Sequence, residues 1–376
     1  MQDSKSQFLI DREAIFNDET LIQDSFKFCV KYSLLVEEYI LKLIIPQNIN
    51  CVLAAAGGFS RRELSPFSDI DLMFIIHNVE DHSKEINECV TKLWDSGIEV
   101  SHTVRELNDI EKFMKEDLHA FTQFFETRFI MGNRNTYDEW NNKLFEIIEK
   151  TDKEKLIFQF FSDIEARHTK YGNSPKVLEP NLKYTAGGLR DLHAVEWMYS
   201  IKNKKILSQQ NEITQTESFL NILFETKELN KQALNRLLNS YSTILKARNM
   251  LHIIEGRKND RLEFTQQQTI AEKLGYKKNN WKEFMYDYFR ASTILYRFSN
   301  TMTKRYKQEF SHVLSEYLTI SIDEDFELKG QILSLNKIKS LTVSEIMRAF
   351  YYECVNDTVF DQKLRSLIIN NVQALE

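Results

Sequence analysis

Residues 51–76 read CVLAAAGGFSRRELSPFSDIDLMFII, and the rest of the chain is arranged around them. The apolar run from Val52 to Ala56 reads as a buried strand. It leads directly into Gly57 and Gly58, where backbone can approach a ligand with no Cβ in the way. A short polar connector turns at Ser65 and Pro66, and a second strand covers Ile70 to Ile76. Asp69 and Asp71 stand two residues apart at its start, so on an extended backbone both carboxylates project to one face. Two carboxylates side by side are the protein's share of a magnesium site, which takes further oxygens from substrate phosphates. Taken singly, a glycine pair after an apolar run reads as a tight turn and an Asp-x-Asp as a solvated strand end. The order strand, Gly-Gly, linker, Asp-x-Asp, strand is much more specific than either.

Working outward, Ser83 to Trp94 reads as a helix closed by Ser96-Gly97. A strand from Ile98 to Arg105 follows, with Ile98, Val100, His102 and Val104 on one face and Glu99, Ser101, Thr103 and Arg105 on the other. Glu99 is thus either a third carboxylate for a two-metal phosphoryl-transfer site or a polar residue on the wet side of a strand. His102, on the opposite face, reads as structural. Upstream, residues 20–45 read as one amphipathic helix that packs against the small sheet. Downstream, Asp117 to Gly132 reads as a helix whose aromatic stripe, including Phe121, Phe124, Phe125 and Phe129, belongs to the core. Glu126 and Arg128 beside it read as a fold-stabilising ion pair, and Trp140 to Phe161 continues as helix.

A second dense stretch, ARHTKYGNSPKVLEPNLKYTAGGLRDLHAVEWM, spans residues 166–198. It predicts a helix ending near Tyr171-Gly172, an irregular segment, and a helix starting near Leu189 behind Gly187-Gly188. Arg167, His168, Lys170, Lys183 and Arg190 concentrate positive charge there. A glycine pair at a helix start can offer N–H groups to an anion; equally, the loop can be a packing element with Asp191 capping it or pairing with Arg190. Arg248 and His252, four apart on one helical face, either line a nucleotide cleft or satisfy a buried carboxylate, and the latter is expected. Met285 to Tyr306 reads as a long bundle helix. Leu318 to Leu335, alternating around Gly330, predicts a small hairpin, and helices from Val343 to Tyr352 and Lys363 to Asn371 close the chain.

These motifs resemble, in order, those of the bacterial protein-PII uridylyltransferases within the polymerase-β-like nucleotidyltransferases. Gly57, Gly58, Phe59, Arg61, Glu63, Leu64, Pro66, Ser68, Asp69, Ile70, Asp71 and Leu72 fit the family's first signature, with Ser60 in place of a glycine. EVSHTVRE, residues 99–106, resembles the segment that supplies the third carboxylate. The Arg-His-x-x-Tyr-Gly and Leu-Glu-Pro-Asn-x-Lys patterns fit at Arg167 to Gly172 and Leu178 to Lys183, and Arg-Asn-x-Leu-His fits at Arg248 to His252. The resemblance implies an α+β fold, a small mixed-sheet nucleotidyltransferase core flanked by helices and followed by a helical domain. It implies that Asp69, Asp71 and Glu99 hold two magnesium ions, that Gly57, Gly58 and Ser60 cradle a triphosphate, and that Arg61 offsets its charge. Asn181 and Lys183 are further nucleotide-binding candidates, since they carry suitable donors just before the glycine turn. The implied reaction moves UMP from UTP to a tyrosine hydroxyl of a PII-type signalling protein, in nitrogen regulation. The same chemistry fits another protein, an RNA or a small molecule as acceptor, and a non-catalytic nucleotide-sensing module is the reading from another class. Longer relatives carry a His-Asp phosphohydrolase and sensor domains; no His-Asp dipeptide occurs in this sequence, so uridylyl removal is not expected of it.

Composition sets the outer bounds. With 376 residues the chain can form two or three domains, expected at 1–135, 136–312 and 313–376. Only 10 glycines and 4 prolines, against 28% charged residues, favour long helices. A formal net charge of -6 argues against a general nucleic-acid binder while allowing a local basic pocket. Cys29, Cys51, Cys89 and Cys354 lack metal-binding spacing and read as reduced thiols. No segment resembles a signal peptide or a membrane span, which predicts a cytoplasmic protein.

Overall fold

The computed structural model describes residues 2–44, 51–207, 212–310, 319–329, 332–337, 341–356 and 358–373. The chain divides into two compact units. Unit 1 comprises Met1–Asp152 and Ser162–Ser299, and unit 2 comprises Lys153–Phe161 and Asn300–Glu376.

Unit 1 opens with helices α1 (Gln2–Phe16), α2 (Glu19–Gln23) and α3 (Ser25–Ile44). The single helix expected over 20–45 is two, because the Asp18 carboxylate caps the start of α2 and the chain breaks at Asp24 before α3 begins. α3 packs chiefly on α1, α2, α12 and α5 (defined below) rather than flat on the sheet. Strand β1 (Val52–Ala56) leads into a single turn, α4 (Gly57–Ser60), and then β2 (Ile70–Ile76), α5 (Val79–Asp95) and β3 (Val100–Glu106) follow. Next come α6 (Asp109–Glu116), α7 (Leu118–Gln123), β4 (Thr127–Met131), α8 (Arg134–Lys150) and α9 (Lys153–Tyr171), whose first part, Lys153–Phe161, belongs to unit 2. The strands form one mixed sheet in the order β3-β2-β1-β4. β1 runs antiparallel to both neighbours, while β2 and β3 are parallel, with Ile70 opposite Val100 and Asp71 opposite Ser101. All five β1 residues are buried, as a central strand with both faces covered requires.

Two expectations fail here for stated reasons. The helix read over 117–132 ends at Gln123, and Thr127–Met131 instead pairs with β1. The free edge of a buried β1 needs partners for its N–H and C=O groups, and the β-branched and aromatic residues Thr127, Phe129 and Ile130 suit a strand. At its end Gly132 has φ +102, and a Cβ there would stand 2.0 Å from the Cys51 carbonyl oxygen. The helix read across 140–161 is likewise interrupted after Lys150.

The remainder of unit 1 is helical: α10 (Leu189–Asn203), α11 (Gln215–Glu225), α12 (Lys231–Glu255), α13 (Phe264–Lys273) and most of α14 (Trp281–Phe310). Thr214 and Glu217 form a reciprocal capping box on α11, and Gly256 ends α12 at φ +63. Unit 2 holds a second mixed sheet, β5 (Thr319–Ser321), β6 (Phe326–Lys329), β7 (Ile332–Leu335) and β8 (Val359–Phe360), with α15 (Val343–Asn356) and α16 (Gln362–Gln373). Phe326, Leu333, Ile346, Ala349 and Leu364 are among its core residues. The expected hairpin is β6–β7; Gly330 and Leu318 lie outside the described residues. The architecture is α+β, as the sequence predicts. No described helix is long and apolar enough to cross a membrane.

Candidate active site

The central stretch builds one pocket inside unit 1, of about 60 Å³, lined among others by Gly58, Arg61, Ser68, Asp69, Asp71, Lys183, Arg248 and Lys258. Its floor is the α4 turn. Gly57 has φ +54, and a Cβ on it would fall 2.8 Å from Asp71 Oδ2, so the glycine is what lets the Asp71 carboxylate lie against the turn. The Gly57 amide donates to the Glu126 carbonyl at 3.1 Å. Ser60 is buried and its hydroxyl donates back to the Gly57 carbonyl at 2.9 Å, so it closes the turn and is not part of the pocket wall.

Asp71 is largely buried, and its carboxyl is pushed up to about 6 by burial and by the nearby Asp69, against the opposing pull of Lys183 and Lys258. Asp69 is half exposed and accepts a hydrogen bond from Lys258 Nζ at 2.5 Å. Glu99 is exposed and stands immediately before β3, where its carbonyl accepts from the Ile70 amide at 3.0 Å. The β2–β3 register therefore sets Glu99 beside Asp69, but it does not line the pocket. Among the described residues no three His, Cys, Asp or Glu side chains are gathered closely enough to hold a metal by themselves. His102, on the other face, stacks edge-on against Phe74 and Trp94.

Arg61 is buried beneath the pocket, held by Glu63 at 3.1 Å and Glu126 at 2.6 Å. Burial alone would weaken its charge, but Glu126 and Glu63 outweigh that and raise its pKa. Glu63 is fixed in turn by His193 at 3.3 Å, the Tyr241 hydroxyl at 2.8 Å and the Thr216 amide at 3.2 Å. Burial and Arg61 push the His193 imidazole down to about 4, so it is neutral at pH 7. Glu126 and Arg128 are not partners, contrary to the sequence reading. Glu126 serves Arg61 and accepts from Trp197 Nε1, while Arg128 reaches back to Glu37 of α3 at 2.7 Å.

The 172–191 segment resolves in favour of packing. The Gly187 amide donates to Asp191 Oδ2 at 2.7 Å, and Asp191 Oδ1 pairs with Arg167 at 2.7 Å and His168 at 2.9 Å. The anion at this helix start is the chain's own Asp191, and its side-chain partners are Arg167 and His168, not Arg190. Asn181 is a turn former: its Oδ1 accepts from the amides of Lys183 and Tyr184 at 3.1 and 2.8 Å. That turn delivers Lys183 to the pocket, where burial and then Arg248 lower its ammonium to about 7.

Two cations of the pocket come from further along the chain. Arg248 binds Asp260 at 2.6 Å and the Ser65 hydroxyl at 2.7 Å. His252 also faces Asp260, at 3.2 Å, so the buried-carboxylate reading of this helical pair is the one observed, with Arg248 lining the pocket besides. Lys258 was not foreseen; its only signal is its place just after α12, in a run that closes on Asp260.

A mixed sheet carrying an Asp-x-Asp at a strand start, against a glycine turn and ringed by cations, defines an α+β core of the nucleotidyltransferase class. Residues 155–303 match the family described as GlnD PII-uridylyltransferase. The chain is 27% identical over 363 residues to a bifunctional uridylyltransferase/uridylyl-removing enzyme of Haemophilus influenzae strain 86-028NP, covering 93% of this chain and 40% of that protein. It is 33% identical over 272 residues to the enzyme of the same name from Hydrogenovibrio crunogenus, covering 69% and 29%, and 31% identical over 258 residues to that of Pseudomonas putida strain W619, covering 63% and 26%. Over the region it shares with them, the chain is similar to the PII-uridylyltransferases, and it spans about 40% of the length of the first of these relatives.

Proposed function

We propose that this protein moves a nucleoside monophosphate from a nucleoside triphosphate to a hydroxyl acceptor, releasing pyrophosphate, with UTP as donor and a tyrosine of a PII-type protein as acceptor. One observation carries the reading: the Asp69–Asp71 pair shares a pocket with Arg61, Lys183, Arg248 and Lys258. Four cations gathered in a chain of net charge -6 favour a polyanion. The names of the relatives support uridylyl transfer in particular. In the reaction the acceptor oxygen bonds to the α-phosphorus, the bond from that phosphorus to the bridging oxygen breaks, and the hydroxyl gives up its proton.

The residues present fit magnesium. Asp71 is a partly buried carboxylate whose charge burial and Asp69 disfavour, and Asp69 already takes a cation, the Lys258 ammonium. Asp69 and Asp71, with Glu99 approaching from the neighbouring strand, would hold two ions. When bound, magnesium supplies charge neutralisation at the transferring phosphoryl group and the leaving pyrophosphate. The chain's own part is positioning. Gly58 lets the polyphosphate approach the backbone, Arg61 and Lys183 neutralise it from below, and Arg248 holds the Ser65 turn in place. Lys258 would give up Asp69 to a bound cation.

Transfer of labelled nucleotide tests the reading. Asp69→Asn and Asp71→Asn are each expected to lower kcat by at least about a hundredfold, a loss of about 3 kcal/mol in transition-state stabilisation, with the fold intact by circular dichroism. Retained transfer in either variant would remove the carboxylate assignment.

A further inference from the structure

Unit 1 contains a second cavity, away from the carboxylate pair, of about 190 Å³ and lined by Gln23, Thr243, Lys246, Leu274, Tyr276 and Phe284, with Gly275 at its rim. It is three times the volume of the pocket around Asp71. Its walls combine an apolar side, Leu274, Tyr276 and Phe284, with polar side chains. Phe284 and Leu274 are buried core residues, and the Tyr276 ring meets Phe284 edge-on at 5.7 Å. The polar groups around it are already engaged, with one exception. The Tyr276 hydroxyl donates to Asp287 at 2.8 Å, the Thr243 hydroxyl donates to the Asn239 carbonyl at 2.8 Å, and Gln23 donates to the Leu274 carbonyl at 3.2 Å.

The exception is Lys246. Its ammonium is half-buried, and its one hydrogen bond among the described residues is a 3.3 Å contact to Gln23 Oε1. Among those residues no carboxylate pairs with it; Asp24, whose charge it feels, is itself bound to Lys27 at 2.9 Å. Burial lowers its pKa. A partly desolvated cation at the mouth of a hollow with apolar walls is favoured by an anion that joins it, and a volume of about 190 Å³ leaves room for a benzene-sized body. We infer that this cavity is a binding site for a small organic monoanion, with its carboxylate on Lys246 and its compact apolar body against Leu274, Tyr276 and Phe284. A neutral ligand leaves the ammonium uncompensated, and a dianion brings a second charge for which no lining cation is present.

The inference is independent of the reaction at Asp69 and Asp71, and benzoate is the probe. Calorimetric titration of the full chain is expected to show saturable binding of benzoate in the millimolar range or tighter, and at least tenfold weaker binding of the neutral isostere benzamide. Lys246→Met should lose at least tenfold for benzoate and little for benzamide. Thr243→Phe, which fills the hollow, should remove both. Each variant's thermal melt shows that it folds. No saturable benzoate binding to the wild type would overturn the assignment, as would equal binding of benzoate and benzamide or unchanged benzoate affinity in Lys246→Met.

Discussion

Asp71 shows most clearly what the site costs the fold. Its carboxyl is raised from 3.8 to about 6 because burial and Asp69 disfavour its charge. Between those values the folded chain binds more protons than the unfolded one, so stability falls as pH rises through that window and stays reduced above it. Asp71→Asn removes the charge while nearly keeping the shape, and is expected to stabilise the metal-free protein by about 2 kcal/mol at pH 7, read by urea unfolding in the presence of a chelator. Equal or lower stability would mean that Asp71 is better compensated than its surroundings indicate. Glu196 makes a second case outside the pocket. It is fully buried, accepts from Gln215 at 2.8 Å and Thr216 at 2.9 Å, and is raised by burial and by the charge of Glu63. Its proton is held in the fold where the unfolded chain has lost it, so stability should decline as pH rises from 4.5 to about 8 and level off above. Glu196→Gln should flatten that decline in a series of melts from pH 6 to pH 9.

At the scale of elements, the turn that ends at α10 shows why some features were legible and others not. Its boundaries, near Gly172 and Leu189, follow from glycine and proline punctuation, which is local. Its purpose does not, because whether the amides of a helix start meet a ligand or the chain's own carboxylate depends on a residue's rotamer and on the helix behind it. Here Asp191 is shared by Arg167, His168 and the Gly187 amide. Removing it strands a buried arginine, and Asp191→Ala is expected to lower stability by about 3–5 kcal/mol by chemical denaturation; a loss below about 1 kcal/mol would show the network to be dispensable. The carboxylate strand was legible for the opposite reason: a period of two and a glycine turn are written in adjacent residues. β4 was not, since its strand character comes from the unpaired edge of β1, some seventy residues earlier. Separation along the chain also hid Lys258, which reaches Asp69 across 189 residues, and the partners that draw Glu126 and Arg128 apart, Arg61 and Glu37.

For the whole molecule, the contrast is between a chain of net charge -6 and a pocket lined by four cations. Attraction of a polyphosphate to such a patch is screened by salt, since the Debye length falls from about 10 Å at 0.1 M to about 3 Å at 1 M. The dissociation constant of a non-hydrolysable triphosphate should therefore rise several-fold between low and high ionic strength, while benzoate at Lys246, a single charge in a hollow, should respond much less. The most direct measurement is intact-mass spectrometry of a PII-type protein incubated with this protein, magnesium and each nucleoside triphosphate in turn. The account predicts a gain of one uridylate with UTP, absent when Asp71→Asn replaces the wild type. An unmodified PII-type protein with every triphosphate, or a uridylate gain that survives Asp71→Asn, would contradict it.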